Sequence, residues 1–316
     1  MRPLVLGLLV ATACTPKPAD SVVPNVDGST PDAGTAIDAG PSCGCERWGI
    51  PRAVGTLPEQ LNELSGLVAS RAQPGVFYAH NDSGDSARFF ALSQSGGLLE
   101  EYTLSGATAT DWEDVGLGPC PADGGTCVYL GDIGDNLRVR SDYALYVVRE
   151  PTLGGGAQNV SWVRYRFEYP GGVKNNSEAF FVHPQTGRVY LVTKQDLGVS
   201  EIYRFPLPLD ATQPMTLELV ATLPFPTSSD RPLTGADVNR CGTAVLLRMY
   251  NRLVELQLPA GEADFEKIFA QAPVTVPVLA SEPQGEAVAY GADGVSYFTA
   301  SERIVDAPTL NEVRCR

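Results

Sequence analysis

"NNSEAFFVHPQTGRVYLVTK", residues 175–194, decides the fold. Residues 179–182 and 189–193 are apolar and rich in β-branched and aromatic side chains, and His183-Pro-Gln-Thr-Gly187 between them is a turn. Two short strands joined in this way make a β-hairpin. Glu178 stands at the mouth of the first strand, where an unpaired buried carboxylate is costly; it has to face water, a partner or a cation.

The hairpin recurs. "LSGLVASRAQPGVFYAHNDSG" (64–84), "DWEDVGLGPCPADGGTCVYLGDIGDN" (111–136), "SEAFFVHPQTGRVYLVTK" (177–194), "LTGADVNRCGTAVLLRMYN" (233–251) and "GEAVAYGADGVSYFTASE" (285–302) each run from a polar or acidic start through an apolar strand and a turn to a second apolar strand. Aligned on their starts they place Ser65, Glu113, Glu178, Thr234 and Glu286 in register, at spacings of 48, 65, 56 and 52 residues. The intervals have room for two more strands, such as "ARFFALSQ" with "LLEEYTLSG" or "YALYVVREP" with "VSWVRYRFEYP". Four strands in a unit of roughly 40–50 residues is a β-propeller blade. After the fifth hairpin "IVDAPTLNEVRCR" supplies one more strand, and "RWGIPRAVGTL" near the N-terminus supplies the missing one. The expectation is an all-β β-propeller of five blades, closed by an N-terminal strand, with six blades as the alternative count.

Composition narrows the function. The 316 residues include 37 acidic and 23 basic side chains, a net charge of −14 that repels phosphate backbones and excludes nucleic acid as a partner. Residues 1–13, with Arg2 and an apolar run too short to span a bilayer, are read as a signal peptide. Ala11-Thr-Ala-Cys14 resembles a bacterial lipobox, which implies cleavage before Cys14 and a lipid on its thiol. Residues 14–42, rich in Pro, Ala, Asp, Gly, Ser and Thr and without an aromatic residue, are read as the lipidated cysteine and a disordered tether. The propeller then occupies 43–316, a monomer held at the cell envelope outside the cytoplasm. Six further cysteines in an exported chain favour disulfides over zinc, since Cys43-Gly-Cys45 lacks the usual knuckle spacing and there are two histidines in all. Cys120 and Cys127 bracket one loop, and ring closure brings Cys43 and Cys45 towards Cys315; Cys241 completes the set, with the pairing left open.

The first strand of every blade lines the central tunnel, so Ser65, Glu113, Glu178, Thr234 and Glu286 should converge around the axis at one end. Three carboxylates and two hydroxyls gathered there suit Ca²⁺, a hard cation that takes six to eight oxygens. The end of each second strand returns to the same face. That adds His80, Asn81, Asp82, Asp132, Asp135, Asn136, Lys194 and Arg248 as candidate ligand-binding residues, with Asp82, Asp132 and Glu302 as candidate bases and Lys194 and Arg248 as holders of an anion. The aspartate-rich loops are not EF-hands, because the twelfth positions counted from Asp82 and Asp132 are Ser93 and Tyr143 rather than glutamate. No G-x-S-x-G, H-E-x-x-H or P-loop occurs, and His183 falls in a turn at the opposite end.

"HNDSGD", "DWED", "GDIGDN" and "SEA" together resemble a widespread family of exported bacterial propellers without an assigned activity, over nearly all of residues 63–302. The layout of Ser65, Glu113, Glu178 and Glu286 is also similar to that of the five-bladed calcium-activated apyrases, whose axial calcium is held by serines and glutamates; Thr234 stands where those enzymes have serine. Asp82 falls where they carry an acidic pair, whereas their arginine-rich third strand end is here Thr193-Lys194. The expected function is a binding or scaffold module with an axial calcium site, taking a small anionic ligand or an envelope partner. The alternative is a calcium-dependent hydrolase of phosphoesters, lactones or sugar esters, the metal polarising the substrate.

Overall fold

The computed structural model describes residues 43–195, 199–223, 232–279, 282, 284–303 and 307–316. The signal peptide at 1–13, the lipidated Cys14 and the tether to residue 42 lie outside them. Chain order begins with a short strand, β1 (Arg52–Thr56), and continues into blade 1: β2 (Leu64–Ala69), β3 (Val76–Asn81), β4 (Arg88–Ser93) and β5 (Leu98–Thr103). Blade 2 comprises β6 (Trp112–Pro119), β7 (Thr126–Asp132), β8 (Ala144–Arg149) and β10 (Trp162–Glu168), with β9 (Gln158–Asn159) added to the outer edge of β5. Blade 3 comprises β11 (Ser177–Val182), β12 (Val189–Thr193), β13 (Glu201–Arg204) and β15 (Glu218–Thr222), with β14 (Met215–Thr216) added to the edge of β10. β16 (Leu233–Val238), β17 (Ala244–Met249), β18 (Arg252–Gln257) and β19 (Val274–Val276) make blade 4. Blade 5 is β20 (Gly285–Tyr290), β21 (Tyr297–Ser301) and β22 (Thr309–Val313), completed by β1, which pairs antiparallel with β22. The propeller has five blades, and its N-terminal strand closes the last one.

The sequence pattern explains why the inner strands are apolar on both faces. Every residue of β2, β11, β16 and β20 is buried, because each inner strand is flanked by a neighbouring blade on either side. Alternate side chains therefore enter different cores: Leu67 and Ala69 pack towards blade 5, and Val68 between them packs towards blade 2. The apolar interior is divided in this way into five clusters, one per blade interface. Trp112 belongs to the cluster between blades 1 and 2, edge-on to His80 at a ring separation of 5.8 Å.

Three disulfides fix the frame. Cys45–Cys315 joins the two ends of the chain beside the Trp48–Cys315 bridge, Cys43–Cys241 ties the N-terminal segment to the turn between β16 and β17, and Cys120–Cys127 staples the β6–β7 hairpin. Such bonds persist in oxidising compartments, consistent with an exported domain. No helix among the described residues is long and apolar enough to cross a membrane.

Candidate functional site

The inner strands of all five blades carry the same irregularity. Each first-strand ladder slips by one residue, between Leu64 and Gly66, Trp112 and Asp114, Ser177 and Ala179, Leu233 and Gly235, and Gly285 and Ala287. The residue left out of register is in turn Ser65, Glu113, Glu178, Thr234 and Glu286. A bulge of this kind frees a residue from the ladder and re-aims its side chain. All five residues are buried. The same registers set Asn81, Asp132, Thr193, Met249 and Ser301 beside these bulges, so the second-strand ends do return to this mouth of the tunnel.

The two hydroxyls bridge blades. Ser65 Oγ donates to the carbonyl of Glu113, and Thr234 Oγ1 donates to that of Gly285 at 2.8 Å. Each hydroxyl proton is committed to a neighbouring blade, which leaves lone pairs on the oxygen. The carboxylates are differently placed. Glu178 is paired with Lys194 and accepts from Asn176 Nδ2 at 3.3 Å, and Glu286 accepts from Gln284 Nε2 at 3.5 Å. Glu113, only 3% exposed, accepts no side-chain hydrogen bond from any described residue. Oxygens of Asp82, Asp111 and Glu113 lie within 4.8 Å of one another, an arrangement that could hold a metal ion.

Burial and mutual repulsion raise these carboxyl groups. Glu113 is pushed well above the usual carboxylate range by burial and then by Glu178, Asp82 and Asp111. Glu286 is raised well above it by burial and then by Glu178. Burial brings Asp111 up to about 6, with Asp82 adding to it, and brings Glu178 up to about 7 against the pull of Lys194. Glu302 is raised too, by burial and then Asp82. Lys194 opposes this rise most directly at Glu178, its ion-pair partner, and through space at Glu286, Glu302 and Glu113. Its Nζ donates to Tyr250 Oη at 2.8 Å and lies 4.9 Å from the centre of that ring.

The second-strand loops support the cluster. Asp132 Oδ1 accepts from the backbone of Asp111 at 3.1 Å and from Arg140 at 2.6 Å, so this buried carboxylate positions Asp111. Asp135 organises its own loop, accepting from the backbones of Val139 and Arg140 at 2.9 and 2.8 Å and from Tyr143 Oη. Asn176 joins that loop to the tunnel: its Oδ1 accepts from Asp135 N at 2.6 Å, and its Nδ2 reaches both Asn136 at 3.1 Å and Glu178. Gly134, in "GDIGDN", lets the loop lie against the cluster: a Cβ there would fall 2.0 Å from Glu113 Oε1 and 2.5 Å from Asp111 Oδ2 and would push both carboxylates aside.

Other candidates are held by partners of their own. His80 is fully enclosed, its Nδ1 2.7 Å from the Asn81 carbonyl, and Asn81 holds Asp85 and the Gln60 carbonyl, both at 2.7 Å. Arg248 is also fully buried and forms an ion pair with Glu282 at 2.7 Å, while its Nε and Nη1 find no hydrogen-bond acceptor among the described residues. Glu302 accepts from Gln284. A second set of polar residues, not among the single entry positions, lines up beside them: Glu63, Asp111, Asn176 and Gln284 each stand two residues ahead of a bulge, in every blade but the fourth, where Pro232 takes the place. Three of them touch or cluster with the carboxylate of their own blade. The signal was a repeated polar residue at that offset.

No family model matches the sequence, and no curated protein matches it. Among solved structures, it is similar to a chain in the crystal structure of a nidogen/laminin complex, at 13% identity over 75% of this chain and 72% of that one, with a TM-score of 0.43. It is also similar to a candidate 6-phosphogluconolactonase from Bacteroides uniformis, at 14% identity over 78% and 65% of the two chains, with a TM-score of 0.35.

Proposed function

We propose that the protein is an exported propeller, anchored to the cell envelope through Cys14, that binds Ca²⁺ at the acidic mouth of its tunnel and uses that face as a binding module. The observation that carries this reading is the cluster of Asp82, Asp111 and Glu113, whose carboxylate oxygens lie within 4.8 Å of one another, with Glu113 buried and Glu178 adding to the repulsion on it. Carboxylates gathered this closely can all be ionised only when a cation neutralises them. Asp82, Asp111, Glu113, Glu178 and Glu286, with the lone pairs of Ser65 and Thr234, supply enough hard oxygen for calcium's coordination shell. A binding role is favoured over hydrolysis because two of the candidate bases are engaged, Asp132 by Arg140 and Glu302 by Gln284.

Calorimetric titration of the full chain with CaCl₂ tests the site. A single calcium should bind, and Glu113→Gln and Gly134→Ala should each weaken it by about tenfold or more, the first by removing a ligand and the second by driving a methyl group into Glu113 and Asp111. Unchanged affinity in both variants would remove the site. The anchor is tested separately: Cys14→Ala should abolish incorporation of labelled palmitate in bacterial cells, and persistent label would refute lipidation.

A further inference from the structure

Lys194 occupies an unusual position for a surface lysine. Its side chain is only 13% exposed and its ammonium is paired with Glu178, one of the five bulge residues. It also holds Tyr250 through a hydrogen bond and a ring contact. The tunnel mouth thus contains a tethered cation of its own. An ammonium bound to Glu178 satisfies in part the same carboxylates that a metal would need, and a divalent ion on Glu178 would repel it at close range. Tyr250 gives the displaced ammonium a neutral place to rest. Once freed from Glu178, that ammonium keeps Glu302 within its field but loses its ion pair, beside a metal whose remaining positions favour oxygen ligands.

We infer that Lys194 is a built-in competitor for the metal, and that calcium, by taking Glu178 from it, turns the ammonium into half of a binding site for a phosphate-type oxyanion, the calcium being the other half. The inference rests on the calcium reading above and adds an order to it: metal first, anion second. Without calcium the mouth is lined by carboxylates and Lys194 is engaged, so an anion is repelled. With calcium the same face presents two adjacent cations. Arg248 takes no part, because its guanidinium is fully buried against Glu282.

The test uses the full chain, with calcium alone and inorganic phosphate alone as probes, followed by isothermal titration. Lys194→Met keeps the length of the side chain and removes its charge, so it should bind calcium about tenfold more tightly than the parent. Lys194→Arg keeps the charge and should resemble the parent in calcium affinity. Phosphate should bind the parent only after calcium has been added, bind Lys194→Arg under the same condition, and fail to bind Lys194→Met with or without the metal. Calcium affinity unchanged or weakened in a folded Lys194→Met would overturn the inference while leaving the calcium site standing. Equal phosphate binding by chelated and calcium-loaded parent would overturn it as well. Absence of calcium binding in the parent would instead remove the metal site itself, and the inference with it.

Discussion

Asp237 and Asp114 show how a wet-looking sequence position becomes a structural bolt. Asp114 accepts hydrogen bonds from Phe180 N of blade 3 at 3.1 Å and Ala236 N of blade 4 at 3.2 Å, and so joins three blades across the tunnel. Asp237 does the same between blades 4 and 5, accepting from Tyr290 N at 2.7 Å. Burial pushes the Asp237 carboxyl up to about 7 from an ordinary 3.8, although the Tyr290 amide and Arg71 pull the other way. The folded protein therefore keeps a proton that the unfolded chain releases at lower pH. Its contribution to stability is complete below about pH 3.8 and is lost as the pH rises through about 7. Urea unfolding of the chelated protein between pH 4 and pH 8 should show a decline to which this group contributes roughly 2–4 kcal/mol. Asp237→Asn should flatten the decline, at the cost of a weaker backbone contact at every pH. A parallel pH profile in the variant would assign the decline to other carboxyl groups.

At the scale of the element, the ring depends on its closure. β1 reaches blade 5 from the opposite end of the chain, and Cys45–Cys315 joins residues 270 positions apart, whereas Cys120–Cys127 spans a separation of 7. A cross-link that closes a long loop restricts the unfolded chain more than one that closes a short loop. Replacing Cys45 and Cys315 together by serine should lower stability by about 2–5 kcal/mol. The same change at Cys120 and Cys127 should cost less. Hydrogen exchange should then show β1 and β22 opening before the other strands in the first variant. Equal losses in the two variants would mean that Cys43–Cys241 already secures the closure.

At the scale of the molecule, charge opposes the fold at one place. Five of the chain's 37 acidic side chains, Asp82, Asp111, Glu113, Glu178 and Glu286, gather at the tunnel mouth, with Lys194 paired to Glu178 as the cation among them. A cation that binds only the folded propeller should add about 2.7 kcal/mol when its free concentration is a hundredfold above its dissociation constant. Calcium should raise the melting temperature by several degrees, and a chelator should reverse the gain. Glu178→Gln should reduce the calcium response without making the metal-free protein less stable, since it removes one member of a repelling set. Glu150→Gln, outside the mouth, should leave the response intact. Identical melting with calcium and with chelator would show that the mouth holds no stabilising cation.

How much of this was legible along the chain depends on distance. Local alternation and turn chemistry identified the five hairpins, and their repeat identified the blade, because strand pairing between neighbours in sequence is encoded by neighbours in sequence. The strand needed to close the ring could be counted as missing, which located β1. The short parallel additions β9 and β14 were not legible, since two residues on an outer edge carry no pattern of their own. Nor were the partners of the charged groups. Lys194 and Arg248 look alike as cationic strand ends, yet Lys194 stands in the tunnel mouth and Arg248 is enclosed against Glu282, 34 positions away. Asp111 and Asn176 became visible as supports of the carboxylates when the bulges turned Glu113 and Glu178 towards them. The sequence by itself determined the blade, its number of repeats and the residue types at the mouth. Only the tertiary structure decided which charges meet, because the energy of a buried carboxylate is set by the few ångströms around it, and those neighbours come from bulges, strand ends and adjoining blades that no local pattern brings together.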